Sequence, residues 1–376
     1  MKLVADDKIP FLQGIPELFA DEVDYVPSRA FTHEQVKDAD ILMIRTPNKC
    51  TQELLQDTQV RFIASTTIGF DHIDIEYCRE AGIKWVNSPG CNAISVAQYM
   101  LTTLIELSRI KHFSLKDKLL GIVGVGNVGK EVERVYKAYG LSYLKCDPPR
   151  AEKEQSDEFV SLQEIADRCD IISFHVPLTK QGKYATYHLC DTSFFCSLRK
   201  KPYFINVARG SVHDTQALLQ AKRNGLIEEI IIDCWENEPD IDRELLAEAL
   251  IATPHLAGFS ADGKANGTRM CLEAISKEYS IHIPDLATRT QPSAPQNPVI
   301  DMNLFCSNRI DEAILTTFSP IKEDKRLREH PDRFEYLRTH YDNPREFSAY
   351  QVINANEEEQ GVLEGLGFST NHIDRI

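Results

Sequence analysis

Short apolar runs alternate with amphipathic stretches along the first 90 residues. Lys2–Ala5, Ile41–Arg45, Phe62–Thr66 and Lys84–Asn87 read as strands. Between them, Thr51–Asp57 and Asp74–Ala81 place apolar residues at helical spacing. Strands that alternate with helices predict a parallel α/β sheet. Ser88-Pro89-Gly90 interrupts the pattern, and a long helical stretch follows over Ile94–Ile110. The alternation then resumes with Leu119–Val123, a glycine loop and a helix to Tyr139. Ser142–Asp147, Ile171–Val176, Tyr203–Val207 and Glu229–Asp233 add four more strands. That is enough for a complete doubly wound nucleotide domain. One further helix is expected to run to about Ile283.

The texture changes at Asp285–Val299, where prolines, threonines and glutamines replace the periodic pattern. This predicts a linker or wrapped arm. Beyond it, Val299–Phe305 and Tyr350–Asn354 suit strands, and Asp311–Phe318 and Glu357–Leu366 suit helices. This small α+β unit has no glycine-rich loop, and its expected role is oligomerisation. The expected division is residues 1–93 with 258–285, then 94–257, then 286–376.

Charge and cysteine usage narrow the classes. The 376 residues carry 42 Lys and Arg against 57 Asp and Glu, a net charge of −15. That balance argues against nucleic acid, because phosphate backbones need a basic surface. A small anionic substrate needs only a local cluster of donors. No run of 18 apolar residues exists, so no spanning helix or membrane association is expected. Acids occupy the N-terminal stretch where a signal peptide would have its apolar core. Ten cysteines occur without a C-x-x-C pair, which removes zinc-ribbon and thioredoxin readings and leaves no metal site expected. Together these predict a cytoplasmic protein with reduced thiols.

Gly124-Val125-Gly126-Asn127-Val128-Gly129 is G-x-G-x-x-G between an apolar strand and a helix. The first glycine suits a tight turn, the second lets backbone approach a pyrophosphate, and the third lets helix and strand pack closely. The helix N-terminus offers free N–H groups and partial positive charge. Asp147 ends the next strand, where an acid binds both ribose hydroxyls and repels a 2′-phosphate, so the expected cofactor is NAD rather than NADP.

Three further segments each place a polar residue beyond a strand's carboxyl end. They are Asn206-Val207-Ala208-Arg209-Gly210, Ile232-Asp233-Cys234-Trp235-Glu236-Asn237-Glu238-Pro239 and Thr253-Pro254-His255-Leu256-Ala257-Gly258. With the glycine loop, their order and separations resemble the D-isomer-specific 2-hydroxyacid dehydrogenases over residues 1–285. The resemblance implies two Rossmann/flavodoxin-like doubly wound α/β domains, here followed by a small α+β C-terminal dimerisation domain. It implies catalytic roles for Arg209, Glu238 and His255. The residue types suit that chemistry. An imidazole titrates near neutral pH and serves as base for a hydroxyl. A carboxylate fixes its tautomer, and an arginine fork holds a substrate carboxylate. Asp233 is implied as the partner of the nicotinamide carboxamide, and Thr67 and Gly69 as part of the substrate loop.

Pro89–Ile94, Cys146–Arg150 and the extra C-terminal unit narrow the resemblance to one branch of the family. That branch oxidises 4-phospho-D-erythronate to 2-oxo-3-hydroxy-4-phosphobutanoate in pyridoxal 5′-phosphate biosynthesis, as a homodimer held through the C-terminal domain. It implies substrate contacts at Thr46, Thr67 and Phe259, and cofactor contacts at Val176, Ala208 and Gly258. Val176 replaces an expected threonine, and Phe259 replaces an expected tyrosine. Arg45, at a strand end before Thr46, is the expected phosphate fork, with Lys325–Arg328 of a second copy as another source of cations. The alternatives are a dehydrogenase for another 2-hydroxy acid, such as 3-phosphoglycerate, and an NAD-binding regulator on the same fold.

Overall fold

A computed structural model describes residues 1–370, the Arg29 side chain excepted, so the last six positions of the expected C-terminal unit lie outside the described residues. The described residues form two compact units, 1–92 with 260–293 and 93–259 with the segment from 294 onward.

In the first unit, five parallel strands form one sheet. They are β1 (Lys2–Asp6), β2 (Glu22–Val26), β3 (Ile41–Ile44), β4 (Phe62–Ser65) and β5 (Lys84–Val86). The order β2-β1-β3-β4-β5 is the doubly wound pattern with its switch between β1 and β3. All four residues of β3 are buried, as the unbroken run Ile-Leu-Met-Ile requires of a central strand covered on both faces. Period-2 alternation divides them: Leu42 and Ile44 face one core with Val4 and Ile63. Ile41 and Met43 face Cys271, Leu272 and Ile275 of the helix Ala261–Tyr279. The edge strand β2 was not anticipated; Glu22-Val23-Asp24-Tyr25-Val26 is exposed or half-buried except at Val26.

The second unit holds a six-stranded parallel sheet: β6 (Leu119–Val123), β7 (Ser142–Cys146), β8 (Ile171–Phe174), β9 (Tyr203–Asn206), β10 (Ile230–Ile232) and β11 (Ile251–Ala252). Its order is β11-β10-β9-β8-β6-β7. The chain reverses its winding between β6 and β8, which places the glycine loop after β6 at the crevice where such sheets bind ligands.

The C-terminal segment packs into this same unit. Its three strands, β12 (Val299–Asp301), β13 (Gln351–Ile353) and β14 (Ser369–Thr370), pair in parallel. Ile300, Ile314, Val352 and Leu363 share one core with Ile122, Val132 and Tyr136 of the nucleotide sheet and its first helix. Leu327, Phe334 and Leu337 join the core on its other face. The helices Pro320–Glu329 and Phe334–Thr339 that carry these three residues were not anticipated.

Candidate active site

The three glycines of the loop differ in what surrounds them. Gly124 has φ +90°, and a Cβ there would meet the Val176 side chain at 2.7 Å and its backbone nitrogen at 2.8 Å. A Cβ on Gly129 would stand 2.1 Å from the Gly124 carbonyl oxygen, so only glycine lets the helix Asn127–Tyr139 start this close to the strand end. A Cβ on Gly126, the N-cap of that helix, would meet nothing within 4 Å. The first and third glycines are thus required by the protein's own packing. The second leaves an open approach to the N–H groups of Asn127, Val128 and Gly129, as a pyrophosphate needs.

Asp147 lies beside that loop. Its Oδ2 accepts from the Val125 N–H at 2.7 Å, and its Oδ1 accepts from Arg150 N at 3.1 Å, capping the helix Pro148–Glu154. The neighbouring Arg150 is committed elsewhere: it donates to the Val125 carbonyl at 2.6 Å and pairs with Glu154 at 2.7 Å. Val176 packs against Gly124 through its side chain. The threonine hydroxyl expected there has no counterpart, which leaves the residue only backbone polar groups.

At the ends of β9, β10 and β11 the sheet gathers Arg209, Glu238 and His255. His255 Nδ1 lies 2.8 Å from Glu238 Oε2 and 3.0 Å from Oε1. Glu238 Oε1 also accepts the Trp235 N–H at 2.8 Å. The two side chains are 25% and 19% exposed, so the pair is mostly shielded but reachable. Burial alone would raise the Glu238 carboxyl, but the hydrogen bond and charge of His255, with the Trp235 N–H, outweigh it and hold the group below its ordinary range. Engagement of Nδ1 leaves Nε2 as the ring nitrogen available to a substrate hydroxyl. Glu236, two residues earlier, turns the other way: it meets His188 Nε2 at 2.8 Å and accepts the Thr215 N–H at 2.9 Å.

Arg209 is half-buried and donates from Nη1 to the Ala208 carbonyl at 2.8 Å. Asn206, which sequence reasoning did not single out, fixes this loop. Its Nδ2 donates to the Arg209 carbonyl at 2.9 Å, and its Oδ1 accepts the Ala208 N–H at 3.0 Å. The available signal was an asparagine at a strand end, where its side chain folds back on its own backbone.

Asp233 is fully buried. Its Oδ1 accepts from Thr253 Oγ1 at 2.6 Å and Leu256 N at 2.7 Å, and its Oδ2 from Ala257 N at 3.0 Å. These bonds brace the loop bearing His255 with the carboxylate that the resemblance assigns to the nicotinamide. Burial raises its pKa, against the pull of His255 and of these donors. Gly258 and Phe259 follow on that loop, both half-buried.

The candidate substrate residues of the first unit cluster at the ends of β3 and β4. Thr67 Oγ1 lies 2.8 Å from Ser65 Oγ and donates to the Gly69 carbonyl at 3.1 Å, tying the loop back on itself. Thr46 is exposed. Arg45 is not a free fork: its Nε donates to the fully buried Asp6 at 3.0 Å, and its Nη2 donates to Ser28 at 3.0 Å. The structure gives Arg45 a bracing task within its own unit.

Residues 95–257 match the family model of the D-isomer specific 2-hydroxyacid dehydrogenase, NAD binding domain, and residues 293–367 match a domain of unknown function (DUF3410). The chain is 50% identical over 369 residues to the erythronate-4-phosphate dehydrogenase of Porphyromonas gingivalis, covering 98% of this chain and 100% of that one. It is 49% identical to that of Bacteroides thetaiotaomicron, covering 94% of this chain and 99% of that one. Among solved structures, NAD+-bound 3-phosphoglycerate dehydrogenase from Entamoeba histolytica is similar with a TM-score of 0.63 and 26% identity, covering 74% of this chain and 95% of that chain. D-lactate dehydrogenase from Aquifex aeolicus, complexed with NAD and lactic acid, shares the fold with a TM-score of 0.59 and 24% identity, covering 78% of this chain and 100% of that chain.

Proposed function

The chain belongs to the erythronate-4-phosphate dehydrogenases within the D-isomer-specific 2-hydroxyacid dehydrogenase family, and from that premise we infer that it oxidises 4-phospho-D-erythronate to 2-oxo-3-hydroxy-4-phosphobutanoate in pyridoxal 5′-phosphate biosynthesis. The observation that carries this reading is the His255–Glu238 pair at 2.8 Å, in the same unit as the glycine loop and Asp147.

The residues divide the work. The N–H groups at Asn127, Val128 and Gly129 and the Asp147 carboxylate would hold the cofactor, with Val176, Ala208 and Gly258 beside it. NAD, when bound, supplies the hydride acceptor for the hydrogen on C2. The C2 hydroxyl proton passes to His255 Nε2, and Glu238 stabilises the imidazolium that results. Arg209 holds the substrate carboxylate and polarises the oxygen on C2. Thr46, Thr67, Gly69 and Phe259 are the further substrate contacts.

The protein is inferred to act as a homodimer in the cytoplasm. Val299 and Leu304 support the dimer: Val299, 48% exposed, opens β12, an edge strand of the C-terminal sheet, and Leu304, 77% exposed, follows it closely. Among the described residues no helix is long and apolar enough to cross a membrane.

Turnover of the purified chain with NAD and candidate hydride acceptors tests the function on 4-phosphoerythronate, 3-phosphoglycerate and D-lactate. The first should lead in kcat/KM by roughly 100-fold or more. A lead for 3-phosphoglycerate would reassign the substrate, and no turnover with any of the three would favour a regulator.

A further inference from the structure

A trianionic substrate, with one carboxylate and one phosphate monoester, needs more than one cation. In the unit that carries His255 and Glu238, Arg209 accounts for the carboxylate. Arg45 lies in the other unit with two of its donors already engaged. The C-terminal segment brings a second arginine to the catalytic loop. Arg338 lies on the helix Phe334–Thr339, with its guanidinium carbon 5.5 Å from the centre of the Phe259 ring and 5.9 Å from that of Phe334. Phe334 is buried, so the guanidinium rests against a fixed aromatic surface. Nη1 donates to Glu335 one turn away at 2.8 Å. Nε is buried without any hydrogen-bond partner, while the side chain as a whole remains 22% exposed. A buried guanidinium N–H without an acceptor is costly and unusual in a folded protein. The charge also reaches the catalytic pair, since Arg338 contributes to holding the Glu238 carboxyl down without a direct hydrogen bond to it.

We propose that Arg338, presented by the C-terminal segment over the Phe259 ring, is the residue that receives the distal phosphate of the substrate. This rests on the substrate assignment above and deepens it. The guanidinium is partly exposed and commits only Nη1 to Glu335, and because its buried Nε–H has no partner to lose, the side chain can turn a planar fork toward a phosphate dianion. It also gives Phe259 a task that needs no phenolic hydroxyl: the ring is the platform that orients Arg338. The C-terminal segment thereby becomes part of the active site as well as an oligomerisation element.

The test uses full-length protein as wild type, Arg338→Gln and Arg338→Lys. Steady-state kinetics are measured on 4-phosphoerythronate and on unphosphorylated D-erythronate, and binding of inorganic phosphate to the NAD-saturated protein is followed by calorimetry. For Arg338→Gln, KM for the phosphorylated substrate should rise roughly 10–100-fold, as expected for a lost charge-assisted hydrogen bond. KM for D-erythronate should change less than about twofold, because that contact has no partner there. Arg338→Lys, which keeps the charge and loses the fork, should fall between and serves if the glutamine variant folds poorly. Phosphate binding should be present in wild type and lost in Arg338→Gln. Equal losses on both substrates, an unchanged KM for the phosphorylated one, or phosphate binding that is absent in wild type or survives the substitution would each overturn the proposal. If wild type does not oxidise 4-phosphoerythronate, the substrate assignment fails, and the phosphate titration still decides whether Arg338 is an anion site.

Discussion

Gly210 and Trp235 approach so closely that a Cβ at position 210 would stand 1.9 Å from the Trp235 carbonyl oxygen. The glycine after Arg209 therefore joins the loop that carries the arginine to the loop that carries Glu238. Adding a methyl group forces two backbones apart, and no flexible side chain is available to yield. Gly210→Ala should cost about 1–3 kcal/mol of stability, the usual range for overpacking, and should reduce kcat/KM by displacing Arg209. Thermal melts and steady-state kinetics on the same preparation check both. A variant with wild-type melting and turnover would show that the loops separate without consequence.

The second prediction concerns the acid–base pair. His255→Asn should leave NAD affinity near wild type and cut turnover by on the order of 10²–10⁴-fold, the usual loss for a general base. Glu238→Gln should also lower turnover, and it carries a stability signature with a definite sign. The Glu238 carboxyl is held below its ordinary value of 4.5 in the folded state. Its ionised form therefore stabilises the fold fully above that value, and the contribution is lost as pH falls through the lowered one. The melting difference between wild type and Glu238→Gln should be constant near neutrality and shrink below about pH 4.5. A difference that grew in acid would reverse the assignment.

The residues proposed to carry the chemistry are legible as candidates because each sits at a strand end marked by glycine, proline or a switch from apolar to polar. The resemblance implies Glu238, and in the structure Glu238 and the nearby Glu236 point to different histidines, His255 and His188. Less legible were elements whose burial is tertiary. Pro320–Glu329 reads as a charged segment with few apolar positions, yet Leu327 is fully buried in the core shared with the nucleotide sheet. The edge strand Glu22–Val26 lacks the apolar run of a central strand because neighbours cover it poorly. Asp233 and Arg45 were recognised as important, but sequence could not distinguish a ligand contact from an internal brace. That distinction depends on which buried donors and acceptors the fold brings to each, and those come from distant positions such as Thr253 and Asp6.

Cofactor choice is the third prediction. Asp147 accepts the Val125 N–H beside the glycine loop, while Glu154 and the Val125 carbonyl hold Arg150; on the proposed reading its carboxylate would repel a 2′-phosphate. Asp147→Ala should raise KM for NAD and narrow the NAD-to-NADP ratio of kcat/KM. Combining it with Glu154→Gln, which releases one partner of Arg150, should narrow the ratio further. Wild type with equal preference for the two cofactors would remove Asp147 from the selection.

Arg45 gives the fourth prediction. Asp6 is fully buried and faces the Arg45 Nε–H at 3.0 Å, with the arginine side chain 29% exposed. Arg45→Ala strands a buried carboxylate, a change that typically costs about 3–5 kcal/mol when the pair is fully buried and less here because the arginine is partly in water. The variant should melt earlier and lose activity equally on phosphorylated and unphosphorylated substrates. Selective loss on the phosphorylated one would return the phosphate to Arg45.

The last prediction separates assembly from folding. Removing the C-terminal segment is a poor probe of dimerisation, because Ile300, Ile314, Val352 and Leu363 belong to the same core as Ile122, Val132 and Tyr136. Truncation after residue 293 would strip that core and should yield aggregated protein. A surface substitution avoids this difficulty. Leu304 is 77% exposed, five positions from Val299 at 48%, beside the edge strand β12. Its side chain contributes little to folding of the single chain, whereas an exposed leucine at a symmetric contact would be buried by its copy. Leu304→Glu should therefore leave single-chain folding, read by circular dichroism, near wild type and shift sedimentation from dimer towards monomer. Desolvating a carboxylate at each of the two symmetric positions opposes association strongly. A variant that sediments as wild type would move the contact away from this edge of the C-terminal sheet. A monomeric wild type would remove the dimer itself.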